Sequence, residues 1–77
     1  MIAYVLITAR TGEAPDVVRQ AARLADIREA HITFGPYDAI AVIEAESVER
    51  VGHVVHFDIQ PIPGVEDTLT CLAVDNL

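Results

Sequence analysis

Lysine is missing from this 77-residue chain, and tryptophan with it. Five arginines stand against twelve acids, for a formal net charge of −7. They are spread from Arg10 to Arg50 and form no basic patch of the kind that tracks phosphates. Direct nucleic-acid binding by this chain alone is therefore not expected. One cysteine excludes an intrachain disulfide. No cluster of Cys and His suggests a structural metal. His53 and His56 have a helical spacing that can place two imidazoles on an ion, but His31, the only third imidazole, comes from a distant segment. Zinc takes three or four ligands, so no metal and no cofactor is expected. No apolar run approaches the ~20 residues that span a bilayer. No glycine-rich phosphate loop precedes either predicted helix. Met1 leads straight into apolar residues, with no basic start and no cleavage site, so a soluble cytoplasmic protein without a secretory signal is the expectation.

What is present is mostly hydrophobic, 52% of the residues, too much for a disordered acidic tail. A chain this short buries only roughly 60% of the surface its unfolded form exposes. Without disulfides or metal, chains of this size often rely on self-association. One domain, residues 1–77, is expected, with no linker and no second unit.

Ile2–Ala9 is β-branched and apolar on both alternating faces and predicts a strand covered on both sides. Pro15 and Asp16 suit the first turn of a helix. Val17, Ala21 and Leu24 recur at helical spacing and predict about three turns, ending near Ala25–Asp26. Residues 28–34 and 39–45 predict a hairpin around Gly35-Pro36-Tyr37-Asp38. Ser47 can cap a second helix running to about Gln60, with Val48, Val51, Val55 and Ile59 toward the core. Gly52 on that face predicts close approach to the sheet. Phe57 falls on the far side, one turn from His53. Residues 65–74 predict a fourth strand. The order is the split βαβ, ferredoxin-like α+β fold, βαββαβ. Two helices cover one face of such a sheet, and a second subunit is the simplest cover for the other.

Catalytic groups are scarce. Cys71 predicts a buried, inert thiol, with no basic neighbour in sequence to activate it. Asp38 has two readings: it accepts backbone N–H bonds at the end of a turn where Gly35 supplies unusual dihedrals, or it also holds something. Thr68 and Thr70 alternate onto one face of the last strand. Turn backbone, a carboxylate and two hydroxyls can bind a small zwitterion, the carboxylate facing an ammonium group and the N–H and hydroxyl donors facing a carboxylate.

The segments AYVLITARTGEAPDVV, FGPYDAIAVIEAES and IQPIPGVEDTLTCLAV resemble the effector (RAM) domain of the Lrp/AsnC transcription regulators over essentially the whole chain. The G-x-Y-D hairpin at Gly35–Asp38 and I-P-G-V-x-x-T-x-T at Ile62–Thr70 are its most specific pieces. The resemblance implies the same sandwich, of the dimeric α+β barrel type. It implies homodimers paired through their sheets and assembled into rings, octamers or decamers, with an amino acid or related small effector between dimers. It assigns ligand contacts to Gly35, Tyr37, Asp38, Thr68 and Thr70, with His53 and Phe57 within reach on the second helix. Full-length members carry an N-terminal helix-turn-helix domain. This sequence is similar to stand-alone RAM proteins, which sense ligand or join full-length regulators in mixed assemblies. Pro36 departs from the pattern, where a polar or acidic residue is commoner.

Two other readings stay open. Related dimeric α+β barrels include monooxygenases, isomerases and haem-degrading enzymes, for which His31, His53, Cys71 and Asp38 are the only raw material. The other is a purely structural oligomerisation module. The expected function is a sensing module rather than an enzyme, with no catalytic residues.

Overall fold

In the computed structural model, which describes residues 1–75, the chain alternates as the apolar pattern requires. Strand β1 (Ile2–Ala9) is followed by helix α1 (Ala14–Ala21), strands β2 (Ile27–Ile32) and β3 (Ala39–Glu44), helix α2 (Val48–His53) and strand β4 (Val65–Leu72). The strands form one sheet in the order β2-β3-β1-β4, every neighbouring pair antiparallel. This is the expected ferredoxin-like α+β architecture.

Strand β1 lies at the centre and separates two kinds of side chain. Ala3, Val5, Ile7 and Ala9 are buried beneath the helices, where they meet Val17 and Ala21 of α1 and Val51, Val54, Val55 and Ile59 of the second helical stretch. Ala39, Ala41 and Ile43 of β3 complete that layer. Alanines at the sheet surface let the helices settle close, and each fully buried Val or Ile contributes roughly 1.5–3 kcal/mol. By strand alternation the opposite face carries Tyr4 and Leu6 of β1, Ile40 and Val42 of β3, and Leu69 and Cys71 of β4. Among the described residues no element covers it, and Tyr4 and Leu69 remain 42% and 49% exposed.

Helix α1 is shorter than its hydrophobic spacing predicts. It ends at Ala21, and the chain then tightens into three-residue turns: the Arg23 and Leu24 amides donate to Gln20 and Ala21 carbonyls at 3.2 and 3.1 Å. Leu24 still packs against the core from there. The second helix begins as expected, with extended Ser47 accepting from the Arg50 amide at 3.1 Å. It then widens into a π-helical segment, Val54–Ile59, sealed by a bond from the Gln60 amide to the Val55 carbonyl. Five-residue bonds rotate the later side chains relative to an α-helix. Val54 enters the core, while Val48, expected inside, stays 49% exposed.

Three other expectations are corrected. Gly35 has no positive φ, so the hairpin does not draw unusual dihedrals from it. Gly52 is exposed, and a Cβ there meets nothing within 4 Å, so it permits no close approach to the sheet. Cys71 is exposed: it lies beside Tyr4 on edge strand β4, on the sheet face that no described helix covers. Among the described residues no helix is long and apolar enough to cross a membrane.

Candidate functional site

The hairpin between β2 and β3 is joined to the end of β1 by Asp38. Its amide donates to the Ile7 carbonyl at 2.9 Å, and its Oδ2 accepts from the Ala9 amide at 2.8 Å. The carboxylate thus takes the place of a backbone partner just beyond the last ladder pair, Ile7 with Ala39. From the other side, the Thr33 amide donates to the Asp38 carbonyl at 3.0 Å, and the Thr33 hydroxyl donates to the Tyr37 carbonyl at 2.7 Å. Asp38 and Tyr37 are held half-buried, while Phe34, Gly35 and Pro36 stand in solvent at the tip. One of the two Asp38 oxygens is occupied by the Ala9 amide. A carboxylate can accept several hydrogen bonds, so a bound cationic group can still be received.

Thr68 sits at the same end of the sheet. It pairs with Ile7 from the β4 side, as Ala39 does from the β3 side. Hairpin and threonine are therefore about two strand spacings apart, on the order of 10 Å between backbones. Gln60, where the π segment ends, donates through Nε2 to Thr68 Oγ1 at 3.0 Å, and its Oε1 lies 3.2 Å from His56 Nδ1. Sequence reasoning passed over Gln60. The four-residue spacing of His56 and Gln60 on a helix was the available signal.

The remaining candidates lie further along the second helix and β4. Thr70 pairs with Val5 and opens onto an apolar groove walled by Val48, Val51, Gly52, Val55 and Leu72. Phe57 projects outward between two imidazoles, with ring centroids 4.9 Å from His53 and 4.7 Å from His56. His53 also borders an open cleft at the start of the helix, beside Ser47, Glu49 and Arg50, where the Arg50 guanidinium meets Asp26 at 2.6 Å. One chain therefore gathers Tyr37, Asp38 and Thr68 at one end of the sheet and leaves Thr70, His53 and Phe57 apart from them. His31 pairs with Glu29 on β2, away from the other two histidines. Among the described residues no three His, Cys, Asp or Glu side chains converge as a metal site requires.

The geometry places a carboxylate and threonine hydroxyls at one end of the sheet. The family model for the Lrp/AsnC ligand binding domain matches residues 2–77. The chain belongs to that family and is a regulatory effector-binding module of it. A relative from Pyrococcus horikoshii, named HTH-type transcriptional regulator FL11, is 30% identical over 74 residues, covering 96% of this chain and 48% of its own length. The chain spans about half the length of the curated relatives it matches. Among solved structures, TTHA0845 from Thermus thermophilus superposes with a TM-score of 0.93 at 33% identity, covering 99% of this chain and 95% of that one. The transcriptional regulator NMB0573 from Neisseria meningitidis, in a structure described as its L-Met complex, shares the fold with a TM-score of 0.85 at 13% identity, covering 99% of this chain and 51% of that one.

Proposed function

We propose that this module senses an amino acid or related small metabolite at a site between subunits and transmits binding through its assembly. The observation that carries this reading is the family match across residues 2–77, on a chain that presents a carboxylate, hydroxyls and an uncovered apolar sheet face. Two copies pair through the faces bearing Tyr4, Leu6 and Leu69, and the dimers assemble into rings of four or five. The effector lies between dimers, bounded by the hairpin at Gly35, Tyr37 and Asp38 and by Thr68 and Thr70, with His53 and Phe57 within reach. The methionine complex of the neisserial neighbour supports an amino acid as the ligand class. A cytoplasmic role beside full-length regulators fits relatives named as transcriptional regulators.

A thermal-shift screen of the twenty amino acids tests this. A ligand present at about 100 times its dissociation constant adds ~2.7 kcal/mol to a folded state that alone binds it. No shift with any amino acid removes the sensing reading. Duplex DNA is expected to pass unbound, given the −7 charge and absence of lysine. Salt-sensitive retardation by the purified chain contradicts that expectation.

A further inference from the structure

The hydrogen bonds behind Thr68 run in one direction. Gln60 uses its amide nitrogen on Thr68 Oγ1, which leaves its carbonyl oxygen as the atom 3.2 Å from His56 Nδ1. An oxygen can only accept, so this contact calls for the Nδ1–H tautomer of His56, which then holds the amide in this orientation. Thr68 Oγ1 in turn spends a lone pair on Gln60, so its own hydrogen is directed elsewhere. Each donor in such a chain polarises the next and strengthens it. The hydroxyl hydrogen of Thr68 is then left for an acceptor other than Gln60.

We propose that Gln60 is a positioning residue that makes Thr68 a hydrogen-bond donor toward the effector, and so fixes which end of the ligand lies there. A donor selects an acceptor, and in an amino acid the strongest acceptor is the carboxylate. The ammonium group then turns toward the hairpin, where Asp38 supplies the negative charge. The effector lies across the sheet end with its carboxylate on the α2–β4 side and its ammonium on the β2–β3 side. This inference rests on the sensing function proposed above and adds the ligand's polarity to it.

The test compares whichever of the twenty amino acids gives wild type its largest thermal shift with the decarboxylated amine of the same side chain. Both are titrated by calorimetry against wild type, Gln60→Leu and Gln60→Glu. Gln60 is exposed at a helix end, and the unfolding midpoint of each variant confirms that folding is kept. Gln60→Leu removes the bond that orients the hydroxyl and is expected to weaken the amino acid about fivefold to tenfold, the range of one neutral hydrogen bond. Gln60→Glu accepts from Thr68 instead of donating, turning its hydrogen inward, and sets a negative charge near the ligand carboxylate. It is expected to weaken the amino acid more than Gln60→Leu does. The amine, which has no carboxylate, is expected to bind all three proteins within about twofold. Equal losses for acid and amine, or no loss for either, overturn the role of Gln60 while leaving the sensing function standing. Absence of a shift with every amino acid overturns both.

Discussion

The two most specific pieces of the family resemblance each contain a glycine, and the two glycines serve opposite purposes. Gly64, in Ile62–Thr70, has φ +99, and a Cβ there would lie 2.8 Å from Glu13 Oε1, 3.0 Å from Glu13 Cβ and 3.1 Å from Val17 Cγ2. Its carbonyl accepts from the Arg10 amide at 2.7 Å, which ties the entry of β4 to the exit of β1. Gly35, in the hairpin, has no positive φ and open space on its side-chain side. One glycine is required by the packing of the chain against itself. The other leaves backbone uncovered where the chain faces outward. The Ile62–Gly64 turn is thus architecture, and the hairpin tip is presentation. Asp38 lies on the boundary, since the bond to Ala9 occupies one oxygen of its carboxylate and leaves the other able to accept.

The sharpest way to break this contrast is Gly64→Ala. A positive φ costs an L-residue about 1–2 kcal/mol, and crowding a packed site adds about 1–3. Urea unfolding is expected to show a loss of about 2–4 kcal/mol, a large share of what so small a domain has. A loss below about 1 kcal/mol would place Gly64 with Gly35 as a dispensable glycine.

Asp38→Asn comes next. The substitution keeps an acceptor for the Ala9 amide but removes the charge that strengthens the bond, so stability is expected to fall by about 1 kcal/mol. If the carboxylate also meets an ammonium group, effector affinity falls about tenfold or more, since a hydrogen bond to a charged group is worth ~1.5–3 kcal/mol. Calorimetric titration and thermal unfolding on the one variant separate the roles. Lost stability with unchanged affinity returns Asp38 to the architectural side.

Much of the frame was legible because it follows from local rules. The limits of β1 can be read from its apolar run, the Ser47 cap from a hydroxyl ahead of a helical pattern, and the element order from turn residues between periodic segments. The departures share a cause: each depends on contacts that periodicity does not encode. Val54 joins Val51 and Val55 in the core while Val48, one turn before them, stays 49% exposed, and the helix widens from Val54 onward, which no count at 3.6 residues per turn carries. Leu24 is apolar at helical spacing yet reaches the core from a turn. Cys71 looks buried in an apolar strand, but that strand is last in the sheet and no described element covers its outer face. At the site, Asp38 stood out by type and setting. Gln60 did not, because a glutamine at a helix end is ordinary until the strand that follows folds back and sets Thr68 against it.

Leu69→Glu probes the outward half of the Ile62–Thr70 segment. Leu69 is opposite Leu6 on the uncovered face and half exposed, so the charge sits in water in the separated chain. Fold stability is expected to change by no more than about 0.5 kcal/mol, as for other surface positions. Pairing through that face instead buries the charge, which is costly without a partner. Light scattering at micromolar concentration is expected to show wild type as an oligomer and the variant as smaller species. An unchanged assembly assigns the subunit contact to another surface.

Gly35→Ala has the smallest expected effect and returns to the first contrast from the other side. With no positive φ to strain and nothing within 4 Å of the new Cβ, the folded chain accepts the methyl group. The unfolded chain loses freedom, so stability is expected to stay level or rise by about 0.4–1 kcal/mol. Any penalty must then appear in binding, because a glycine in an outward turn allows a ligand to approach backbone that a side chain would shield. A severalfold loss of effector affinity at unchanged stability makes Gly35 a binding residue through its missing side chain. A drop in stability of more than about 1 kcal/mol means that the tip is packed after all and erases its difference from Gly64. Level stability with level affinity keeps the contrast in architecture but moves the ligand away from the tip, toward Asp38 and Thr68.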